Sequence, residues 1–397
     1  MTKPYIPPEA GLKPITERDR KASPLAGACF ALFIVFGLFS TLYATSFGKL
    51  NLFPNGMSWT PFLNGDVSQT FAAALADAPV PSNAAQIERG LSWVVAGDLG
   101  PRVRRGASGW LFLGDELTVH DQPQLNSAQR KADVLKVQKT LIAKGIKLLV
   151  VVVPDKSRIE ASQLGMLHRP AGYVPRASQW VSELKLAGVE AVDLTETLSA
   201  FKQKNGAAFL KSDSHWTEQG AEAAARSVSA EVLRLKIVAT PAQGLIVDKR
   251  IELNRPGDLI RLAGVEWLFD ALQPQQDLAQ ETSFKVGSQA QAQDKVKLGT
   301  ASASSASAQT DDLFGDADLP NVVVIGTSFS RTSNFVSFIE KELNAKIANL
   351  ARNGGDFSGA MNTYLSSVAF KKTPPKLVIW EIPERVLQQK ASKDSIQ

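Results

Sequence analysis

Lys147-Leu148-Leu149-Val150-Val151-Val152-Val153, followed directly by Pro154-Asp155-Lys156, is an aliphatic run with no polar alternation. A strand with one wet face alternates in polarity, so a continuously apolar one must be covered on both sides. Asn321-Val322-Val323-Val324-Ile325 and the stretch 376–382 read the same way. Shorter strand patterns fall at 189–193 and 345–350, and helical patterns at 127–144, 176–186, 195–204, 334–343 and 358–370. Thr217 is placed to cap a further helix over 218–235. Strands that alternate with helices in this way predict an α/β fold, a parallel sheet between two helical layers. Such sheets put their chemistry at the carboxyl ends of the strands.

Working outward, residues 24–47 contain no charge and would extend roughly 36 Å as a helix, enough for a tilted bilayer crossing. The preceding residues carry Lys3, Lys13, Arg18, Arg20 and Lys21 against Glu9, Glu17 and Asp19, whereas the far flank offers Lys49 before Asp66. That bias predicts a single-pass anchor in a bacterial inner membrane, with the N-terminus in the cytoplasm and the main domain in the periplasm. The rival is a cleaved signal peptide ending near Ala44-Thr45-Ser46, but both the charged leader and the apolar run are long for one. The expected organisation is a cytoplasmic tail over 1–23, an anchor over 24–48, a juxtamembrane linker with short helices over 49–100, and a catalytic domain over 101–390. Pro54, Pro61, Pro79 and Pro81 are expected to break any long helix in the linker. A Gln/Ala/Ser-biased stretch at 272–312, with Ala301-Ser302-Ala303-Ser304-Ser305-Ala306-Ser307, reads as a low-complexity insertion.

With 397 residues, 44% of them hydrophobic, the chain can bury a large core. One cysteine, Cys29, excludes an internal disulfide and a multi-cysteine metal site. No His-x-x-x-His or clustered carboxylate pattern indicates a metal either. The net charge of +5 is modest, and no basic stripe interleaved with aromatics marks a nucleic-acid binder.

Two segments carry chemistry. The apolar run at 321–325 ends in Gly326-Thr327-Ser328-Phe329-Ser330, a strand entering a tight turn that lifts a serine beside free backbone amides. Ser328 is the candidate nucleophile and Ser330 the fallback; the sequence is not a Gly-x-Ser-x-Gly elbow, because Arg331 follows Ser330. Lys211-Ser212-Asp213-Ser214-His215-Trp216 sets one of three histidines two residues after an aspartate, so that Asp213 can orient His215 as a base. His120 and His168 have no such partner in the sequence. Each feature has a plain structural reading, a helix cap for the serine turn and a packed or solvated imidazole for the histidine. Lys156 and Arg158 follow the strongest strand and are candidates for binding an anionic polymer or fixing the site electrostatically, or belong to a solvated loop. Asn353-Gly354-Gly355 follows another strand and is either an oxyanion hole or an ordinary turn. Trp216 is a candidate sugar platform or a core residue.

These pieces, with Gly109-Trp110-Leu111-Phe112-Leu113, Val153-Pro154-Asp155-Lys156-Ser157-Arg158 and Trp380-Glu381-Ile382-Pro383-Glu384-Arg385, resemble the AlgX and AlgJ type of alginate O-acetyltransferases. The motifs occur in the family's order over roughly residues 60 to 389. The resemblance implies a three-layer SGNH-hydrolase-like, flavodoxin-like sheet and a triad of Asp213, His215 and Ser328, in an order reversed from ordinary SGNH esterases. It implies periplasmic acetylation of an exopolysaccharide without a resident cofactor. The acetyl donor would come from a multi-spanning membrane O-acyltransferase or another source, alongside other polymer-modification proteins. The N-terminal anchor, and the roughly seventy residues after the serine motif, are similar to the AlgJ branch and leave no room for the carbohydrate-binding module of the AlgX branch. A secreted polysaccharide acetylesterase with the same residues, and a non-catalytic anchored scaffold, are the competing expectations.

Overall fold

The computed structural model describes residues 23–53, 58–287, 319–391 and 394–396 and divides into two compact units, Met1–Leu91 and Ser92–Gln397. The first unit opens with α1, Pro24–Ser46, long and apolar enough to cross a membrane. Its Ser23 cap accepts a hydrogen bond from the Ala26 amide at 3.4 Å, with Pro24 at the first helical position where its missing N–H costs nothing. Two short helices follow, α2 (Trp59–Leu63) and α3 (Asp66–Ala76), then α4 (Pro79–Ala96). The expectation that prolines would prevent a long helix in 49–100 is corrected by α4, an 18-residue helix. Pro79 and Pro81 lie in its first turn, where proline starts helices rather than breaking them.

The second unit contains β1 (Val103–Arg105), β2 (Leu111–Leu113), α5 (Pro123–Ile142), β3 (Lys147–Val153), α6 (Lys156–Ile159), α7 (Arg176–Leu186), β4 (Glu190–Asp193), α8 (Thr195–Asn205) and α9 (Glu218–Arg234). Then come β5 (Leu245–Arg255), α10 (Asp258–Leu262), β6 (Asp277–Val286), β7 (Val322–Ile325), α11 (Phe335–Leu343), β8 (Ala348–Asn349), α12 (Gly359–Ser366), α13 (Val368–Lys372) and β9 (Leu377–Pro383). Five of the strands form a parallel sheet in the order β4-β3-β9-β7-β8. The expected three layers are present. Leu149, Val151 and Val153 pack on one face against α9 and α11 residues such as Ala224, Val228 and Phe338. Leu148, Val150 and Val152 pack on the other against Val134, Trp180 and Met361. In strand order the sheet departs from a flavodoxin-like 2-1-3-4-5 arrangement, because β9 enters between β3 and β7.

Beside the sheet, β5 and β6 form an antiparallel ribbon from Leu245↔Val286 to Arg255↔Asp277. Residues 277–286 are therefore strand, which corrects the start of the expected insertion at 272. The Thr282 amide and hydroxyl both donate to Glu218, and Ala279 is buried, so this part of the stretch is packed. Residues 288–312 lie outside the described residues, as do 1–22 of the expected cytoplasmic tail. The helix expected over 358–370 divides at Ser367, whose side chain caps α13 by accepting from the Phe370 amide at 3.1 Å.

Candidate active site

Three strand ends and two loops converge at the carboxyl edge of the sheet. β7 delivers Gly326, and the chain then turns through a single 3-10 turn, Ser328–Arg331, whose leading amides have no acceptor within the turn. Glu381 of β9 fixes this turn from below. Its buried carboxylate accepts the Thr327 amide at 2.7 Å, the Thr327 hydroxyl at 3.0 Å and the Ser330 hydroxyl at 3.0 Å. Burial pushes the Glu381 carboxyl up, and those bonds oppose the shift. Gly326 is required here by space: a Cβ would stand 2.4 Å from Glu381 Oε2. Ser330 is thereby corrected as a fallback nucleophile, since it is 2% exposed and committed to Glu381.

The base comes from the segment between α8 and α9. Phe209 and Trp216 form an isolated antiparallel bridge, and the Leu210 amide donates to the His215 carbonyl at 3.1 Å, so the intervening residues make a tight loop. Asp213 Oδ1 accepts the His215 amide at 2.9 Å and lies 2.6 Å from His215 Nδ1, while His215 Nε2 lies 2.7 Å from Ser328 Oγ. These lengths make one continuous relay. Burial pushes the Asp213 carboxyl up, but its bond to His215, the imidazole charge and nearby Arg255 outweigh this and hold it well below the usual carboxylate range. The loop is tethered by Asp277 at the start of β6, which accepts the amides of Lys211 at 2.6 Å and Ser212 at 2.8 Å.

Lys156 is corrected from substrate binding to internal support. Its ammonium is buried and donates to the carbonyls of Leu111 at 2.6 Å, Lys211 at 2.8 Å and Asp213 at 2.9 Å, over the rings of Trp110 and Phe112. All three donors are used. Removal from water brings the Lys156 ammonium down to about 8, opposed by the carboxylates around it, so the group remains mostly charged at neutral pH. Lys156→Met should deprive three carbonyls of a charged donor, leaving that of Lys211 with the Leu111 amide alone, and cost about 3 kcal/mol of stability. Thermal unfolding of the full chain checks this, and a wild-type melting profile would refute the role.

Arg158 is corrected likewise: it pairs with buried Glu384 through Nε at 2.8 Å and also donates to the Val174 carbonyl at 2.7 Å. Arg169 and Arg176 join the same Asp155–Glu384 network, which closes the ends of β3 and β9. Trp216 is fully buried between Phe329 and Phe335, with centroids at 5.0 and 4.7 Å, and offers no sugar platform. Asn353 and Gly354 do line the cavity with Ser328, whereas Gly355 turns behind them and its amide donates to the Arg352 carbonyl at 3.2 Å. His120 and His168 do not line it.

The cavity measures about 700 Å³ and exposes Asp213, His215 and Ser328 along one wall. Arg102, Arg255, Arg261 and Arg385 line it, together with Asp115, Asp258, Glu266 and Asp356. The sequence reading missed Asp258, which follows β5 and is 45 residues from Asp213; its local signal, Pro256-Gly257-Asp258 ahead of an apolar turn, reads as a cap. Asp213, His215 and Asp258 present ligand atoms within 4.8 Å of one another. Asp213 already takes Nδ1, and Ser214 takes both Asp258 oxygens through its amide and hydroxyl, each at 2.6 Å. The arrangement can move a proton from a serine hydroxyl and support nucleophilic attack by its oxygen.

A parallel three-layer α/β domain with this serine turn and this histidine loop is an SGNH-hydrolase-like domain. Residues 103–384 match the family described as SGNH hydrolase-like domain, acetyltransferase AlgX, and the chain belongs to that family. It is similar to the probable alginate O-acetylase AlgJ of Pseudomonas aeruginosa, 30% identical over 334 residues that cover 83% of this chain and 81% of that one. The alginate biosynthesis protein AlgX of Azotobacter vinelandii is 27% identical, over 70% of this chain and 54% of that one. Among solved structures, the O-acetyltransferase domain of Pseudomonas putida AlgJ is 27% identical with a TM-score of 0.59, covering 73% of this chain and 93% of that chain.

Proposed function

We propose that this chain is a membrane-anchored periplasmic O-acetyltransferase that transfers acetyl groups through Ser328 to hydroxyls of an exopolysaccharide, alginate or a related polyuronate. The observation that carries the reading is the unbroken Asp213–His215–Ser328 relay on the wall of a solvent-open cavity. His215 takes the Ser328 proton as Oγ attacks the acetyl carbonyl, and returns it to the leaving group. The Ser328 amide, with Asn353 and Gly354, would face the developing oxyanion. A sugar hydroxyl then gives its proton to His215 and accepts the acetyl group, which regenerates Ser328.

Transfer is favoured over hydrolysis by the relatives that are named O-acetylases. The arginines on the cavity wall complement a carboxylate-bearing acceptor. No resident cofactor enters the scheme; the donor would be supplied by a multi-spanning membrane acyltransferase or another acetyl carrier. α1 supports a single-pass anchor, and the basic leader supports an N-terminus in the cytoplasm.

The test is to incubate the full chain in detergent with a small acetyl ester and mannuronate oligosaccharides, then examine both protein and sugar by mass spectrometry. Acetyl on Ser328 and on the oligosaccharide is expected. Free acetate with no acetylated sugar would overturn transfer in favour of an esterase. Absence of both, with unchanged polymer acetylation in cells carrying Ser328→Ala, would leave the protein as a scaffold.

A further inference from the structure

Beside Asp213, a second carboxylate approaches the same imidazole nitrogen. Asp258 opens α10, and its Oδ2 stands 3.6 Å from His215 Nδ1. The carboxylate is fastened to the base loop, because Oδ1 accepts the Ser214 amide and Oδ2 the Ser214 hydroxyl, both at 2.6 Å. Its own amide faces Asp213 Oδ2 at 3.3 Å, so the two aspartates are linked through backbone as well as through Ser214. Its two bonds to Ser214, the residue before His215, bring Oδ2 to that distance from Nδ1. Arg255, 3.7 Å from Asp213 Oδ2, and the Lys156 ammonium, which acts on both acids, offset their mutual repulsion.

We propose that Asp258 is a positioning residue for the transfer reaction, holding the Asp213–His215 loop in register through its two bonds to Ser214, so that His215 Nε2 stays 2.7 Å from Ser328 Oγ. Asp213 accepts the Nδ1 proton in line; Asp258 acts through Ser214.

This inference rests on the acetyltransferase reading for its kinetic part, and a second readout does not. Asp258→Asn keeps the size of the side chain and an oxygen for Ser214 but removes the charge. It should reduce kcat about tenfold with KM little changed. Asp258→Glu should restore part of this. In parallel, the ring resonances of His215 are followed by NMR in the full chain in detergent at one fixed pH, assigned by their loss in His215→Gln, and should move in Asp258→Asn as the loop shifts. If Ser328→Ala remains active while the NMR change is present, the transferase reading fails and the positioning stands. If the His215 resonances of Asp258→Asn match wild type, the positioning role is overturned, whatever the activity.

Discussion

Asp213→Asn is expected to lower acetyl transfer by roughly three to four orders of magnitude with the fold preserved. Asp213 Oδ1 serves two donors at once, the His215 amide and the His215 ring nitrogen. An asparagine that keeps its oxygen there turns its NH2 group on the Asp258 amide, itself a donor, at the Oδ2 position. If its NH2 group faces Nδ1, the ring must carry its proton on Nε2, and Nε2 then cannot accept from Ser328. The loss should fall on kcat, because the substituted group does not meet the acceptor. Steady-state kinetics with circular dichroism on the same sample checks this. A variant with correct secondary structure and more than about a tenth of wild-type kcat would show that His215 does not depend on Asp213.

Gly257→Ala is the second large expectation. The residue lies in extended backbone, so conformational freedom is not the issue; space is. A Cβ at Gly257 would stand 1.9 Å from the Ser212 carbonyl oxygen and 2.2 Å from its carbon, both main chain and unable to swing aside. Either α10 or the base loop must retreat. The first movement withdraws Asp258 from Ser214, and the second draws Asp213 and His215 away from Ser328. A displacement of about 1 Å at a reacting group is worth roughly a hundredfold in rate, and overpacking costs about 1–3 kcal/mol. The expected result is at least a hundredfold loss of activity with a lowered melting temperature. Gly354→Ala, a substitution at a cavity-lining glycine where φ is +64° and a Cβ meets nothing within 4 Å, should cost less. Equal, near-wild-type activity in both would contradict the packing argument.

What sequence alone reveals here follows the range of the forces involved. The strands at 147–153 and 321–325 are legible because each apolar side chain reports its own burial. The Asp213–His215 pair is legible because the two residues are two apart. Ser328 is legible because a glycine turn after a buried strand is a local event. The β5–β6 ribbon is missed: residues 248–254 of β5 are all exposed, Asp248, Lys249 and Arg250 among them, and a register shift between Val247 and Lys249 breaks the period-two signal. Lys156, Arg158 and Trp216 are left between two readings for a different reason. A cation after a strand looks the same in sequence whether it faces solvent or three carbonyls, and only the arrival of Leu111 and Lys211 from elsewhere decides. Glu381 and Asp258 carry no local mark of their roles, since their partners lie 54 and 44 residues away.

The position of β9 bears on when the protein can become reactive. Its residues 377–383 come last among the described strands, yet pair with β3 on one side and β7 on the other. Until they arrive, the sheet is two separate pieces, β4-β3 and β7-β8, one beside the histidine loop and the other bearing the serine. Glu381, which fixes the serine turn, arrives with the same strand. During synthesis the growing chain therefore holds a serine and a histidine that have no common frame, and long-range parallel pairing is slow to form. On the proposed chemistry the Asp213–His215–Ser328 relay can assemble only after β9 has been made, so a partial chain that lacks this strand should neither acylate nor deacylate what it meets.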